Sequence, residues 1–228
     1  MAGKLTRRQF VGTAVVAAVG PMILPSGVLA KPGGTGPNER LVVGHIGVGG
    51  RGTGHLNFIQ GHNSFESGAL CDVDQKHLAK AAGIVGKTIP THTDYRRLLE
   101  QKDLDAVIIA APDHWHGLMT VHACQADKHV YCEKPLSKTI REGQAILAAA
   151  KASGSVVQVG SQARSTDGGR QAWNWINNGK IGRVTRGECW YVDNPTGGDW
   201  TKNGPAPADL DWDLWLGPAQ WVPYNPDR

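Results

Sequence analysis

The stretch CEKPLS, residues 132–137, sets an ammonium group between a carboxylate and a proline at the end of the short apolar run HVYC. A lysine held there can donate a charge-assisted hydrogen bond to a carbonyl or hydroxyl oxygen. That bond strengthens as the oxygen gains alkoxide character, and one such donor is typically worth about 3 to 4 kcal/mol in a barrier. The plain alternative for Lys134 is a surface lysine beside a structural proline. A second set of residues suits phosphate chemistry. GHIGVGGRG, residues 44–52, places Gly47, Gly49 and Gly52 as G-x-G-x-x-G, with an acid, Asp72, twenty residues further on. In that pattern the first glycine permits a tight turn, the second lets backbone amides approach a pyrophosphate, and the third lets helix and strand pack closely. Gly50 and Arg51 lie within the same loop and are counted with it as cofactor contacts. Asp72 can accept from both hydroxyls of an adenosine ribose and would repel a 2′-phosphate, which favours NAD over NADP. Arg51 and Lys76 could offset that repulsion, so NADP stays open, as does a plainer role for Asp72 as a helix cap.

A third set is AAPDHWHG, residues 110–117. Asp113 and His114 are expected at the nicotinamide end of a cofactor, and His116 with Lys134 at a substrate. Glu133, next to the lysine, is counted with the cofactor. Asp113 or His114 as a simple helix cap is the competing reading.

These residues need a scaffold that brings strand ends together. LVVGHIG is an apolar run without alternation, as expected of a strand covered on both faces, and a short helix follows it. SGALCDVD, DAVIIAA, HVYCE and SVVQVG read as further strands, separated by helices starting near Asp74, at Thr93 or Asp94, at HGLMTVHACQA, and over about 139–152. In that last helix Thr139 and Glu142 make a capping box and Gly154 ends it. Strands regularly separated by helices imply parallel pairing, hence an α/β fold with a Rossmann-type doubly wound sheet over residues 41–160. Ligands of such sheets collect at the carboxyl ends of the strands, where all three sets fall.

Beyond Gly160 the texture changes. GGRQAWNWINNGKIG reads as a helix, RVTRGECWYVD as a strand with one wet face, and the remainder as loops rich in Pro, Gly and Trp. Residues 161–228 are too few to make a second core alone, so they are read as the incomplete start of an α/β substrate domain. Most of the eight tryptophans lie there, and stacking on sugar faces competes with ordinary packing as their role.

At the other end, TRRQFVGTAVVAAVGPMILPSGVLA pairs Arg7 with Arg8 ahead of an apolar run broken by Gly20, Pro21 and Pro25. That run is short for a bilayer span and resembles a twin-arginine signal, with residues 1–30 as a removable peptide and 31–40 as a linker. The resemblance implies passage through the twin-arginine translocon in folded form, to a periplasmic or extracellular location. The leader also carries most of the formal charge of +4. With Lys4, Arg7 and Arg8 set aside from the 24 basic residues, 21 remain against 20 acidic ones, which argues against a nucleic-acid partner. Cys71, Cys124, Cys132 and Cys189 match no metal or CxxC spacing and are expected as buried thiols, so no metal site is expected.

Taken together, the twin-arginine leader, GHIGVGGRG, CDVD, APDHWH and above all CEKPLS resemble the Gfo/Idh/MocA family of oxidoreductases, over residues 41 to about 228. The resemblance implies hydride transfer between a nicotinamide cofactor and a sugar, cyclitol or polyol. It makes Lys134 a catalytic or substrate-binding group, often with a cis bond to the following proline. It also implies a later segment carrying an Asp and a His, on a sheet that mediates homo-oligomer formation. That segment is not in the 228 residues, so a fragment or a cofactor-binding, non-catalytic protein is an alternative expectation. A redox-cycling glycosidase is another, although such relatives depart from Glu-Lys-Pro at this site.

Overall fold

The computed structural model describes residues 39–190 and 202–227. The leader and nearly all of the linker, residues 1–38, lie outside the described residues. Six strands form one parallel sheet: β1 (Leu41–Ile46), β2 (Phe65–Cys71), β3 (Thr91–His92), β4 (Ala106–Ile109), β5 (His129–Glu133) and β6 (Val157–Gly160). Their order is β3-β2-β1-β4-β5-β6, with the reversal between β1 and β4. That reversal opens a crevice at the carboxyl edge.

The linking helices are α1 (Gly50–Gln60), α2 (Gln75–Val85), α3 (Tyr95–Leu99), α4 (Asp113–Gln125) and α5 (Ile140–Ser153). They begin where local chemistry says they should. Asp74 caps α2 by accepting from Lys76 N and His77 N, Asp94 caps α3, and Thr139 with Glu142 forms the full capping box of α5, which ends at Gly154 in the left-handed region. Val48, Leu56 and Leu70 pack with Leu78 and Val85 on one face of the sheet. On the other face Ile46, Val107, Ile109 and Cys132 pack with Leu98, Trp115, Met119 and Cys124. Strands covered on both faces are what the unalternating apolar runs require.

One element was not foreseen and one expectation is corrected. The sequence TH at 91–92 is a short edge strand, β3, which carries no apolar run to announce it. Residues 183–190, expected as the start of an alternating strand, are exposed and form no helix or strand; the rest of that segment lies outside the described residues. Alternation makes a strand only where a partner edge accepts its hydrogen bonds, and among the described residues no strand pairs with 183–190. The helix before it forms as α6 (Asp167–Asn177), and a short helix α7 (Trp212–Leu216) lies in the tail. Of the cysteines, three are buried and free, with Cys132 pushed up to about 11 chiefly by burial, while Cys189 is exposed.

Candidate functional site

The glycine loop joins β1 to α1 at the reversal point. Gly47 has φ of +80°, and a Cβ there would stand 2.7 Å from the Ala110 backbone. A Cβ on Gly52 would stand 1.9 Å from the Gly47 carbonyl oxygen. The loop therefore closes only with glycine at both positions. Gly49 is the N-cap of α1 and offers no side chain to its first turn, which also holds no acid. The first amides of α1 are thus open to an anion, with the positive end of the helix dipole behind them.

Asp72 follows β2 directly. One carboxylate oxygen accepts from Val48 N at 2.8 Å and Gly49 N at 3.2 Å, and the other accepts from Asp74 N at 3.0 Å. The acid is therefore a brace for the glycine loop. Capping of α2 falls to Asp74 instead. A carboxylate has about four acceptor positions, so with three filled Asp72 retains capacity for a ribose hydroxyl. His77 stands 3.5 Å from the same oxygen, with its ring against the position a Cβ on Gly49 would take. The two cations weighed as partners for a 2′-phosphate each have an acid partner. Lys76 pairs with Asp209 at 2.7 Å and Arg51 with Glu133 at 3.3 Å.

At the end of β5 the geometry departs from expectation. Glu133 is buried and faces α1, where it accepts from His55 Nε2 at 2.6 Å, from Arg51 and from Gln162, and also from Lys134 N at 3.2 Å. Burial alone would raise its pKa, but these donors outweigh burial and hold it below the ordinary glutamate value. This carboxylate, expected at the cofactor, fastens β5 to the helix that starts at the glycine loop. Lys134 is exposed at the carboxyl edge, joined to Pro135 by a cis peptide bond, and is not in the lining of the crevice beside the glycine loop. An ammonium without a protein partner goes to water.

His116, expected at a substrate, is 1% exposed, with Nδ1 2.6 Å from the Pro135 carbonyl and Nε2 2.8 Å from the Ala111 carbonyl. Both nitrogens are occupied, so it ties the loop after β4 to the loop after β5 and has no edge left for a substrate. His114, expected at the nicotinamide, donates from Nε2 to the Trp215 carbonyl at 2.9 Å. Asp113 is exposed in the first turn of α4.

The crevice itself has a volume of about 420 Å³. Gly47, Gly49, Gly50, Arg51 and Asp72 line it together with residues of the tail between Leu210 and Pro226. Asp113, His114, His116, Glu133 and Lys134 are not in its lining. His77 and Tyr224 were missed by sequence reasoning, which weighed the tail tryptophans Trp212 and Trp215 only for stacking on sugar faces. A histidine one turn into α2, three residues past its cap, carried the only local signal.

Comparison with known proteins agrees with this geometry. Residues 41–161 match the model of the oxidoreductase family with an NAD-binding Rossmann fold. A glycosyl hydrolase family 109 protein of Shewanella pealeana is 29% identical over 212 residues, covering 83% of this chain and 46% of that protein. Inositol 2-dehydrogenase of Salmonella typhimurium is 33% identical over 145 residues, or 63% of this chain and 43% of that one. Among solved structures, scyllo-inositol dehydrogenase from Lactobacillus casei with bound NAD(H) and scyllo-inositol superposes with a TM-score of 0.60 at 26% identity, covering 64% of this chain and 43% of that chain. The chain thus spans less than half the length of the relatives it matches. With the family model matched over residues 41–161, more than half of its length, the chain belongs to the Gfo/Idh/MocA oxidoreductase family.

Proposed function

We propose that the protein is an exported oxidoreductase that moves a hydride between NAD and a sugar, cyclitol or polyol. The observation that carries this reading is the Asp72-braced glycine loop at the sheet reversal, with the Glu-Lys-Pro edge one strand beyond β4. NAD, when bound, supplies the nicotinamide ring that takes up or returns the hydride. The α1 amides and Asp72 hold its phosphates and ribose, and Asp113 stands at the nicotinamide end. Lys134 donates to the substrate oxygen, stabilising its charge as the carbon–hydrogen bond breaks. Export follows from the paired arginines and short apolar leader, with cofactor loaded before passage through the translocon. A homo-oligomer is part of the same reading.

The test is NADH formation from inositols and aldoses by the full chain and its Lys134→Met variant. The variant is expected to keep NAD affinity within about twofold and to lose roughly 100- to 1,000-fold in turnover, the scale of one lost donor to a developing oxyanion. Equal turnover would remove Lys134 from the chemistry. The coverage of the Shewanella relative supports a second reading, a redox-cycling glycosidase. Release of a phenol from an aryl glycoside without net NADH would select it. NAD binding with neither activity would leave a cofactor-binding role.

A further inference from the structure

The tail crosses the cofactor crevice as a strap with two fastenings. Against the turn between β2 and α2, Gln75 N donates to the Asp209 carbonyl at 2.9 Å and Asp211 N to the Val73 carbonyl at 3.0 Å, with the Lys76–Asp209 ion pair beside them. Against α4, Trp115 Nε1 donates to the Leu214 and Trp215 carbonyls at 3.0 and 3.1 Å, alongside the His114 bond. Gly217, with φ of +47°, passes so close to Trp115 that a Cβ would stand 1.9 Å from its ring.

Within the strap, Trp212 stacks on Trp215 at 4.7 Å and meets the Tyr224 ring edge-on at 5.3 Å, while its own Nε1 donates to the Val222 carbonyl. These three rings are only partly buried and line the same crevice as Asp72 and His77. Flat, half-wet aromatic surface around a concave space suits a planar ring. The crevice is lined from the ends of β1, β2 and β4 and from α4, Lys134 is not in its lining, and its volume sits low in the range of about 300 to 1,000 Å³ usual for small-molecule sites. That is room for a nucleoside more than for a whole dinucleotide.

We propose that residues 209–226 form the outer wall of the adenosine half of the cofactor site. Trp212, Trp215 and Tyr224 offer aromatic surface to the adenine, Asp72 accepts from the ribose, and the cofactor leaves only when the strap lifts. This rests on the reading of the crevice as a dinucleotide site.

ADP-ribose, which lacks the nicotinamide, and NAD are the probes, used with the full chain. ADP-ribose is expected to quench tryptophan fluorescence. Tyr224→Ala should weaken its binding about tenfold, the size of one base–aromatic stack. Gly217→Val, which unseats the strap at a position outside the crevice lining, should raise the NAD dissociation rate about tenfold. Should Gly217→Val fail to fold, Asp209→Lys opens the other fastening and serves the same measurement. Variants that bind and release both probes like the parent overturn the strap proposal alone. A parent chain that binds neither probe overturns the dinucleotide reading and the strap together.

Discussion

At the residue scale the informative groups are those that hold several partners. Asp72 takes two loop amides and one turn amide, so Asp72→Ser removes the loop brace along with the ribose acceptor. NAD binding should weaken about 10- to 100-fold, in line with about 1 to 3 kcal/mol for buried groups left unpaired, while NADP binding improves relative to NAD. Calorimetry with both cofactors checks it, and an unchanged preference would reduce the acid to its bracing role. His45 is a second case. It is 1% exposed in β1, its Nε2 shares a hydrogen bond with Ser67, and its Nδ1 has no hydrogen-bond partner among the described residues. Burial first, and then the charge of His55, push its pKa from 6.5 to about 4. The folded protein therefore binds this proton less readily than the unfolded chain does. Its contribution is fully present above pH 6.5 and is lost as the pH falls toward about 4, to the extent of about 3 kcal/mol. Glu133 acts in the same direction at lower pH, since its depressed pKa favours the fold only above the unfolded value of about 4.3. Urea melts at a series of pH values should show this loss, and His45→Asn should flatten it between about pH 6.5 and 5. A parent protein equally stable at both ends of that window would contradict the assignment.

At the element scale, what was legible in the sequence is what local chemistry decides. The capping box of α5, the Asp74 and Asp94 caps and the glycine turn each involve residues within a few positions of one another, so their spacing announces them. Thr139→Ala should cost about 1 kcal/mol, read as a fall of about 2 to 4 °C in Tm for a protein of this size. An unchanged Tm would mean that Glu142 and tertiary packing hold α5 without the cap. The candidate site was half legible for the same reason. Gly47, Gly49, Gly52 and Asp72 follow from one loop and one strand end. The job of His114 depends on a carbonyl 101 residues away, and that of Glu133 on Arg51 and His55, 82 and 78 residues earlier. No local pattern encodes such partners. His116 misled for a related reason: beside an expected site a histidine reads as a ligand, yet burial between two carbonyls made it a tie between loops. The region 183–190 misled in the opposite way, because alternation speaks of faces and not of a neighbouring edge.

At the scale of the whole molecule, the nucleotide-binding unit and the strap are separated in sequence by an exposed stretch holding Arg183 and Arg186 without helix or strand. Trypsin should cut there first, since exposed irregular segments are the preferred sites of nicking. The two pieces should still elute together on gel filtration, because the strap is fastened at both the β2–α2 turn and α4. Separation of the pieces under native conditions would show that those fastenings do not hold alone. The double duty of Asp72 reaches further than binding. An acid that both steadies its loop and reads a sugar cannot be exchanged for one function without disturbing the other. A lineage moving to the phosphorylated coenzyme would have to gain substitute loop anchors before giving up the aspartate, so that route runs through an ordered pair of changes and not a single one.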